Sequence, residues 1–259
     1  MSKATALLQT LHHEAHVWLL APETVTDATL LARYTAELST DEQARHARFK
    51  FARDRHLFLL SHALIRRVLS LYVEVEPAAW QFSTGPHGRP EIAAPALDTP
   101  LRFNLTHTDG LIACVVTHGI ACGIDAEKLR LPGNPVGIAD KMFAASEREA
   151  LARLSGAAYV EGFFTYWTLR EAYCKATGLG LSQPMAAFAF EDAPDAHFSI
   201  RFQSPASGDS ADWQFTRLTP GPQHVLAVAL HTPARCGTIA IRTRSVSELP
   251  EPRVQHTPN

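Results

Sequence analysis

The sequence predicts an α+β protein built as two lobes in series. Three observations carry this: helical periodicity from Ser39 to about Leu71, short β-prone runs after Leu101, and a second helical stretch followed by strands from Ser146 onward. No short-period repeat points to a solenoid. With 259 residues, 46% apolar and 19% charged, the chain has ordinary globular composition and enough length to bury a core without disulfides or structural metal.

The elements follow in order. Ser39 with Glu42 has the spacing of a capping box, and Phe49, Leu57, Leu60, Leu64 and Val68 continue the helical period to about Leu71, predicting one or two helices. Gly85-Pro86-His87-Gly88-Arg89-Pro90, with Pro95 and Pro100 beyond, forbids regular helix and predicts an ordered loop or linker. Leu101 to Leu105, Leu111 to Thr117 and Ile120 to Ile124 read as hairpin-like strands around Asp109-Gly110 and His118-Gly119. Ser146 with Glu149 predicts a capped helix to Leu154, and Glu161 to Thr177 a longer one that Gly178 terminates. Phe198 to Phe202, Trp213 to Leu218, Val225 to Leu230 and Thr238 to Thr243 are the closing strands, before a proline-rich, polar end.

Several function classes recede on composition. Cys114, Cys122, Cys174 and Cys236 are scattered without C-x-x-C pairing, so neither a zinc site nor a disulfide framework is expected, and a cytoplasmic location fits. No secretion leader is expected, since Leu7, Leu8 and Leu11 give way at once to His12, His13, Glu14 and His16, and that run is not H-E-x-x-H either. The longest apolar stretch, Leu111 to Ile124, is too short for a bilayer, so no membrane partner is expected. The formal net charge of −2 and the lack of interleaved aromatic and basic residues argue against nucleic acid. Within that balance Arg45, Arg48, Lys50, Arg53, Arg55, Arg66 and Arg67 make a local basic excess, which reads equally as an anion-meeting surface or a solvated helix face.

Three constellations bear chemistry. In Gly123-Ile124-Asp125-Ala126-Glu127, residues two apart on a strand share a face, so Asp125 and Glu127 point together. Two carboxylates about 4 Å apart repel by roughly 4 kcal/mol at an effective dielectric of about 20, so the pair calls for a cation, and magnesium suits a few carboxylates completed by water and phosphate. Taken alone, D-x-E is also an ordinary solvated strand end. On a helix, Trp167, Glu171 and Lys175 form one i, i+4 stripe, which by itself is equally a surface ion pair. Phe103-Asn104-Leu105-Thr106-His107 ends a strand with a hydroxyl and an imidazole, the latter a phosphate donor or a structural histidine.

Order and spacing join the three. F-N-L-T-H, then G-I-D-A-E about twenty residues on, then W-x-x-R-E-A-x-x-K-x-x-G-x-G-L about forty further, resembles the motif set of the 4'-phosphopantetheinyl transferases, of the long, monomeric, surfactin-synthetase-activating type. Gly88-Arg89-Pro90 resembles that family's G-K/R-P loop, and Arg48-Phe49-Lys50-Phe51-Ala52-Arg53-Asp54 its R-F-x-F-A-R-D helix, so the motifs span about residues 39 to 190. Two departures stand out: Arg170 replaces the usual lysine, and Thr106 the usual serine.

The resemblance implies two similar α/β lobes packed as a pseudo-dimer, with residues 1–120 as the N-terminal lobe, 121–245 as the C-terminal lobe and 246–259 as a loose tail. It implies transfer of 4'-phosphopantetheine from coenzyme A to a serine of an apo acyl or peptidyl carrier protein. Magnesium on Asp125, Glu127 and Glu171 is the implied metal, Glu171 or Glu127 the implied base, and Lys175 the implied partner of the pyrophosphate. His107 is expected on a phosphate, and Arg45, Arg89 and Thr106 on the 3'-phosphate and adenine end. Glu147 reads either as an acid near the site or as a helix N-terminal residue. Rival readings are a carrier-binding module without chemistry and another magnesium-dependent phosphodiester enzyme.

Overall fold

The computed structural model describes residues 3–85, 88–178, 180, 187–193, 197–204, 208–233 and 237–252. The chain divides into two compact units, Met1–Gly119 with Ala240–Asn259, and Ile120–Ile239. Each is α+β.

The first unit opens with α1 (Lys3–Thr10), β1 (Glu14–Leu20) and α2 (Ala28–Glu37), whose first turn is capped by the Asp27 carboxylate accepting from the Leu30 amide at 2.8 Å. Next come α3 (Thr40–Arg48) and α4 (Ala52–Leu69), two helices where the apolar period of the sequence is continuous, because Phe49 to Phe51 leave helical geometry. The expected capping box is present: the Glu42 amide donates to Ser39 Oγ at 3.3 Å and the Ser39 amide to Glu42 Oε2 at 2.8 Å. The proline-rich passage holds a short antiparallel pair, β2 (Gln81–Thr84) with β3 (Pro90–Ala94), rather than only loop. Pro86 and His87 of its G-K/R-P region lie outside the described residues. β4 (Leu101–Thr108) and β5 (Leu111–His118) form the predicted hairpin. Leu60, Leu64 and Val68 of α4 pack with Tyr34, Ile112 and Val116 in one core, and truncating a core leucine to alanine typically costs about 2–5 kcal/mol.

The second unit holds β6 (Cys122–Lys128), α5 (Pro135–Met142), α6 (Ala145–Ala152), α7 (Gly156–Thr177), β7 (Phe188–Asp192), β8 (His197–Phe202), β9 (Trp213–Gly221) and β10 (His224–His231). Its sheet runs β6-β10-β9-β8-β7. The run from Leu111 to Ile124 is therefore not one hairpin: β5 belongs to the first unit's sheet, while β6 pairs antiparallel with β10. α7 lies on β6 and β10 and is buried on most of its circumference, with Phe163, Leu169, Tyr173 and Cys174 in the core. It ends where predicted, on Gly178 in the left-handed region (φ 70°), a conformation glycine adopts without strain.

One more strand, β11 (Ala240–Val246), returns to the first unit. It pairs in parallel with β1, giving the sheet order β11-β1-β5-β4. This corrects the division at residue 245 and the loose tail after it. Leu249 is buried, and Glu251 bonds Arg33 and Arg67, so the chain is held beyond β11, while residues 253–259 lie outside the described set. Cys114, Cys122 and Cys174 are buried, and Cys236 lies outside the described residues. Among the described residues no helix is long and apolar enough to cross a membrane.

Candidate active site

The second unit's site begins with a glycine. A Cβ built on Gly123 would lie 1.9 Å from the Ala172 carbonyl oxygen and 2.6 Å from the Ala176 amide nitrogen, so only glycine lets α7 rest its backbone directly on β6. That contact sets the next residues of each element opposite one another. Asp125 and Glu127, two apart on β6, face the Trp167, Glu171 and Lys175 stripe of α7, as the two periodicities predict.

Lys175 Nζ donates to Asp125 Oδ1 at 2.6 Å and to the Ile124 carbonyl at 3.2 Å. Asp125 is only 6% exposed. Burial, followed by the charge of Asp125, pushes the Glu127 carboxyl up to about 7, against the opposing pull of Lys175 and a hydrogen bond from Trp167. Burial and Asp125 likewise raise Glu171, again opposed by Lys175. Three carboxylates thus crowd one lysine, and the cluster holds more negative charge than its own cation offsets.

Among the described residues no group of three His, Cys, Asp or Glu is gathered closely enough to hold a metal as it stands. The expected Asp125, Glu127 and Glu171 triad is instead a cluster with Lys175 on Asp125, and the lysine takes part of the charge that a cation would neutralise. The donor set still suits a hard divalent cation: it is all carboxylate, and the charge of Asp125 adds to burial in raising Glu127 and Glu171.

Glu147 and Arg170 form a buried ion pair. Glu147 is buried at the third residue of α6; its Oε2 accepts from the Ala144 amide at 2.8 Å and from Arg170 Nη2 at 2.5 Å, and its Oε1 from the Phe190 amide at 2.8 Å. Arg170 Nη2 also donates to the Phe188 carbonyl at 3.1 Å, with its guanidinium 4.6 Å from the Phe188 ring. Of the two readings of Glu147, the helix-terminal one holds, with a buried ion pair added. The helix it caps starts one residue earlier than Ser146, with Glu147 in the role expected of Glu149, because the chain enters helix at Ala145. Gly123, the Trp167 bond and this pair were not legible as site features, although the glycine stands inside the G-I-D-A-E motif.

The first unit distributes the other expected residues. Thr106 and His107 follow one another on β4, opposite Ala113 and Ile112 of β5, so Thr106 is buried and His107 exposed. Arg89 lines a cavity of about 290 Å³ with Glu91, Ile92, Leu97, Thr99 and Phe103. Arg45 is exposed on α3, its guanidinium 5.4 Å from the Phe58 ring. The basic segment splits: Arg66 and Arg67 are fully buried in ion pairs, whereas Arg45, Arg48, Lys50, Arg53 and Arg55 remain on the surface. Leu179 and Leu181 of the G-x-G-L motif lie outside the described residues.

Comparison with known proteins follows the same division. The profile of the 4'-phosphopantetheinyl transferase superfamily matches residues 121–229, and that of the 4'-phosphopantetheinyl transferase N-terminal region matches residues 26–118. The 4'-phosphopantetheinyl transferase HetI of a Nostoc species is 31% identical over 224 residues, covering 86% of this chain and 90% of that protein. The chain belongs to the 4'-phosphopantetheinyl transferase superfamily. Among other superfamily members, a 4'-phosphopantetheinyl transferase of Bacillus subtilis is 29% identical, covering 82% of this chain and 90% of that protein. The 4'-phosphopantetheinyl transferase Sfp of Bacillus subtilis is 28% identical, covering 65% of this chain and 72% of that protein. The superfamily profile spans Asp125, Glu127, Glu171 and Lys175, and the N-terminal profile spans Arg45, Arg89, Thr106 and His107.

Proposed function

We propose that this transferase moves the 4'-phosphopantetheine group of coenzyme A onto a serine hydroxyl of an apo acyl or peptidyl carrier protein and releases 3',5'-adenosine diphosphate. The observation that carries the reading is the meeting of Asp125 and Glu127 with Glu171 and Lys175, inside the region matched by the superfamily profile. In the reaction the serine oxygen forms a bond to the β-phosphorus of coenzyme A, the bond from that phosphorus to the departing adenosine diphosphate breaks, and the serine proton passes to a carboxylate.

Glu171 or Glu127 is the proton acceptor of this reading, and burial together with Asp125 raises both carboxyls. Lys175 supplies positive charge for the pyrophosphate and for the leaving oxygen. Asp125, Glu127 and Glu171 would hold magnesium, which when bound neutralises phosphate charge. His107 donates to a phosphate, and Arg45, Arg89 and Thr106 take the 3'-phosphate and adenine end, with the cavity beside Arg89 offering room for part of it. The same reading has the chain act as a monomer in the cytoplasm, on carriers of fatty-acid, polyketide or nonribosomal-peptide assembly.

The test is incubation of the purified chain with coenzyme A, magnesium and a panel of apo carriers, followed by intact-mass measurement of each carrier. Addition of the phosphopantetheine mass, lost with chelator and in Asp125→Ala, is the expected result. No mass gain on any carrier defeats the activity, and full activity of Asp125→Ala defeats the metal assignment alone.

A further inference from the structure

The arginine that precedes Glu171 is held in a buried ion pair with Glu147. Arg170 is 2% exposed and Glu147 is 1% exposed, and the pair is held at several points: Glu147 accepts three hydrogen bonds, and Arg170 Nη2 reaches both Glu147 and the Phe188 carbonyl. These bonds tie three elements together: the first turn of α6, the middle of α7 and strand β7. The Phe143, Phe188 and Phe190 rings lie within 5.9 Å of the guanidinium, so no water layer softens the arrangement.

α7 is consequently fixed at two places around its circumference. Ala172 and Ala176 rest on Gly123, where no side chain could intervene, and Arg170 is pinned by Glu147. Glu171 and Lys175 project from the same turns. Their reach toward Asp125 and Glu127 is set by the rotation and axial position of the helix, and a shift of about 1 Å in a catalytic group can cost about a hundredfold in rate.

We propose that Arg170, clamped by Glu147, is a positioning residue that sets the rotation of α7 and so places Glu171 and Lys175 against Asp125 and Glu127. This rests on the functional reading above. It also accounts for the departure from the motif's usual lysine. What the position requires is a buried cation joining Glu147 to the Phe188 carbonyl, and either residue can supply it.

The test measures divalent-cation binding by Mn²⁺ paramagnetic resonance without substrates, together with transfer kinetics. Arg170→Met is expected to weaken Mn²⁺ binding and lower kcat by about tenfold or more, as outer supports of a metal site typically do, with KM for coenzyme A and carrier within about twofold. Glu147→Gln, which keeps the shape and loses the charge, moves both in the same direction and serves if Arg170→Met does not fold. Arg170→Lys retains both within about threefold. The control is Arg66→Met, which removes an equivalent buried pair in the first unit; it lowers the melting temperature and leaves Mn²⁺ affinity unchanged.

Unchanged Mn²⁺ affinity and kcat in folded Arg170→Met or Glu147→Gln overturn the proposal, as does an equal loss of Mn²⁺ affinity in Arg66→Met. Should the wild-type chain bind no Mn²⁺, the metal reading falls and the kcat ratio decides the clamp. Should no carrier be modified, the transfer reading falls and the Mn²⁺ ratio decides it.

Discussion

The two units hold their long helix with the same device and put it to different use. In the first, Glu42 at the third residue of α3 accepts from the Ser39 amide and from Arg66 of α4 at 2.5 Å, and Arg66 continues to the Pro77 and Trp80 carbonyls. In the second, Glu147 at the third residue of α6 accepts from the Ala144 amide and from Arg170 of α7 at 2.5 Å, and Arg170 continues to the Phe188 carbonyl. Acid and arginine stand 24 residues apart in one unit and 23 in the other. Each guanidinium also lies near a phenylalanine ring of the strand that follows, 5.2 Å from Phe82 and 4.6 Å from Phe188.

The next residue separates them. After Arg66 comes Arg67, buried against Glu37, Glu251 and the Tyr34 ring; after Arg170 comes Glu171, turned toward Asp125. Three residues before the arginine stand Ala63 and Trp167, and five after it Leu71 and Lys175. The clamp is therefore scaffold common to both units. The units differ in the residue beyond it and in what that residue meets.

The largest effect that sharpens this contrast is on rate. Glu171→Gln is expected to lower kcat by about 10²- to 10⁴-fold with the fold intact, whereas Arg67→Met leaves kcat within about threefold and lowers stability by about 2 kcal/mol, since the partly buried Glu37 keeps only its longer contact with Arg33. Transfer kinetics and urea melts on both variants read the difference. Gly123→Ala comes next: forcing a methyl against the Ala172 carbonyl costs about 2–3 kcal/mol in a melt and spreads the carboxylate cluster, with a matching loss of transfer.

The units also differ in their response to pH. Glu127 binds its proton more tightly folded than unfolded, so in metal-free protein its contribution is complete below the unfolded value near 4.5 and is lost as pH rises through about 7. The expected loss is roughly 1–2 kcal/mol, diluted by solvent at a half-buried group, and Glu127→Gln should flatten that part of a stability–pH curve. Glu42 behaves oppositely: burial pushes it up, but the Ser39 amide and Arg66 outweigh burial and leave it lowered, so its contribution is present above 4.5 and is lost as pH falls through its depressed folded value. The smallest effect concerns the caps. Ser39 and Ala144 share backbone geometry (φ −64°, ψ 162° and φ −66°, ψ 160°), yet only Ser39 carries the hydroxyl. Ser39→Ala should cost about 1 kcal/mol, and Ala144→Ser should add about 0.5 kcal/mol by completing the box, both read by thermal melts.

Much of this was legible along the chain because it is local. Ser39 with Glu42, Gly178 after Thr177, and the facing of Asp125 with Glu127 depend on spacings of one to three residues, and each stands as expected. β1 escaped because its residues from Ala15 to Leu20 are buried on both faces, which removes alternation, and because it includes His16, whose polarity is absorbed by bonds to Tyr72 and Glu14. Ser146 with Glu149 has the right spacing in the wrong frame, since Glu147 had a buried arginine 23 residues away to answer. The fates of Arg66 and Arg67 were illegible for the same reason: nothing in a run of basic residues marks which meet water and which meet Glu42 or Glu37.

The parallel pairing of β11 with β1 has a consequence for how the chain comes to be made. Residues 120–239 lie between two pieces of the first unit, so during synthesis β1 emerges more than two hundred residues before its partner Ala240–Val246. Until then β1 offers the nascent chain one open side of a largely apolar strand, a template for pairing with other molecules. Synthesis of Ala240–Val246, rather than completion of the first 119 residues, is what lets that side close, and Leu249 and Glu251 then fasten the closing strand from beyond its end.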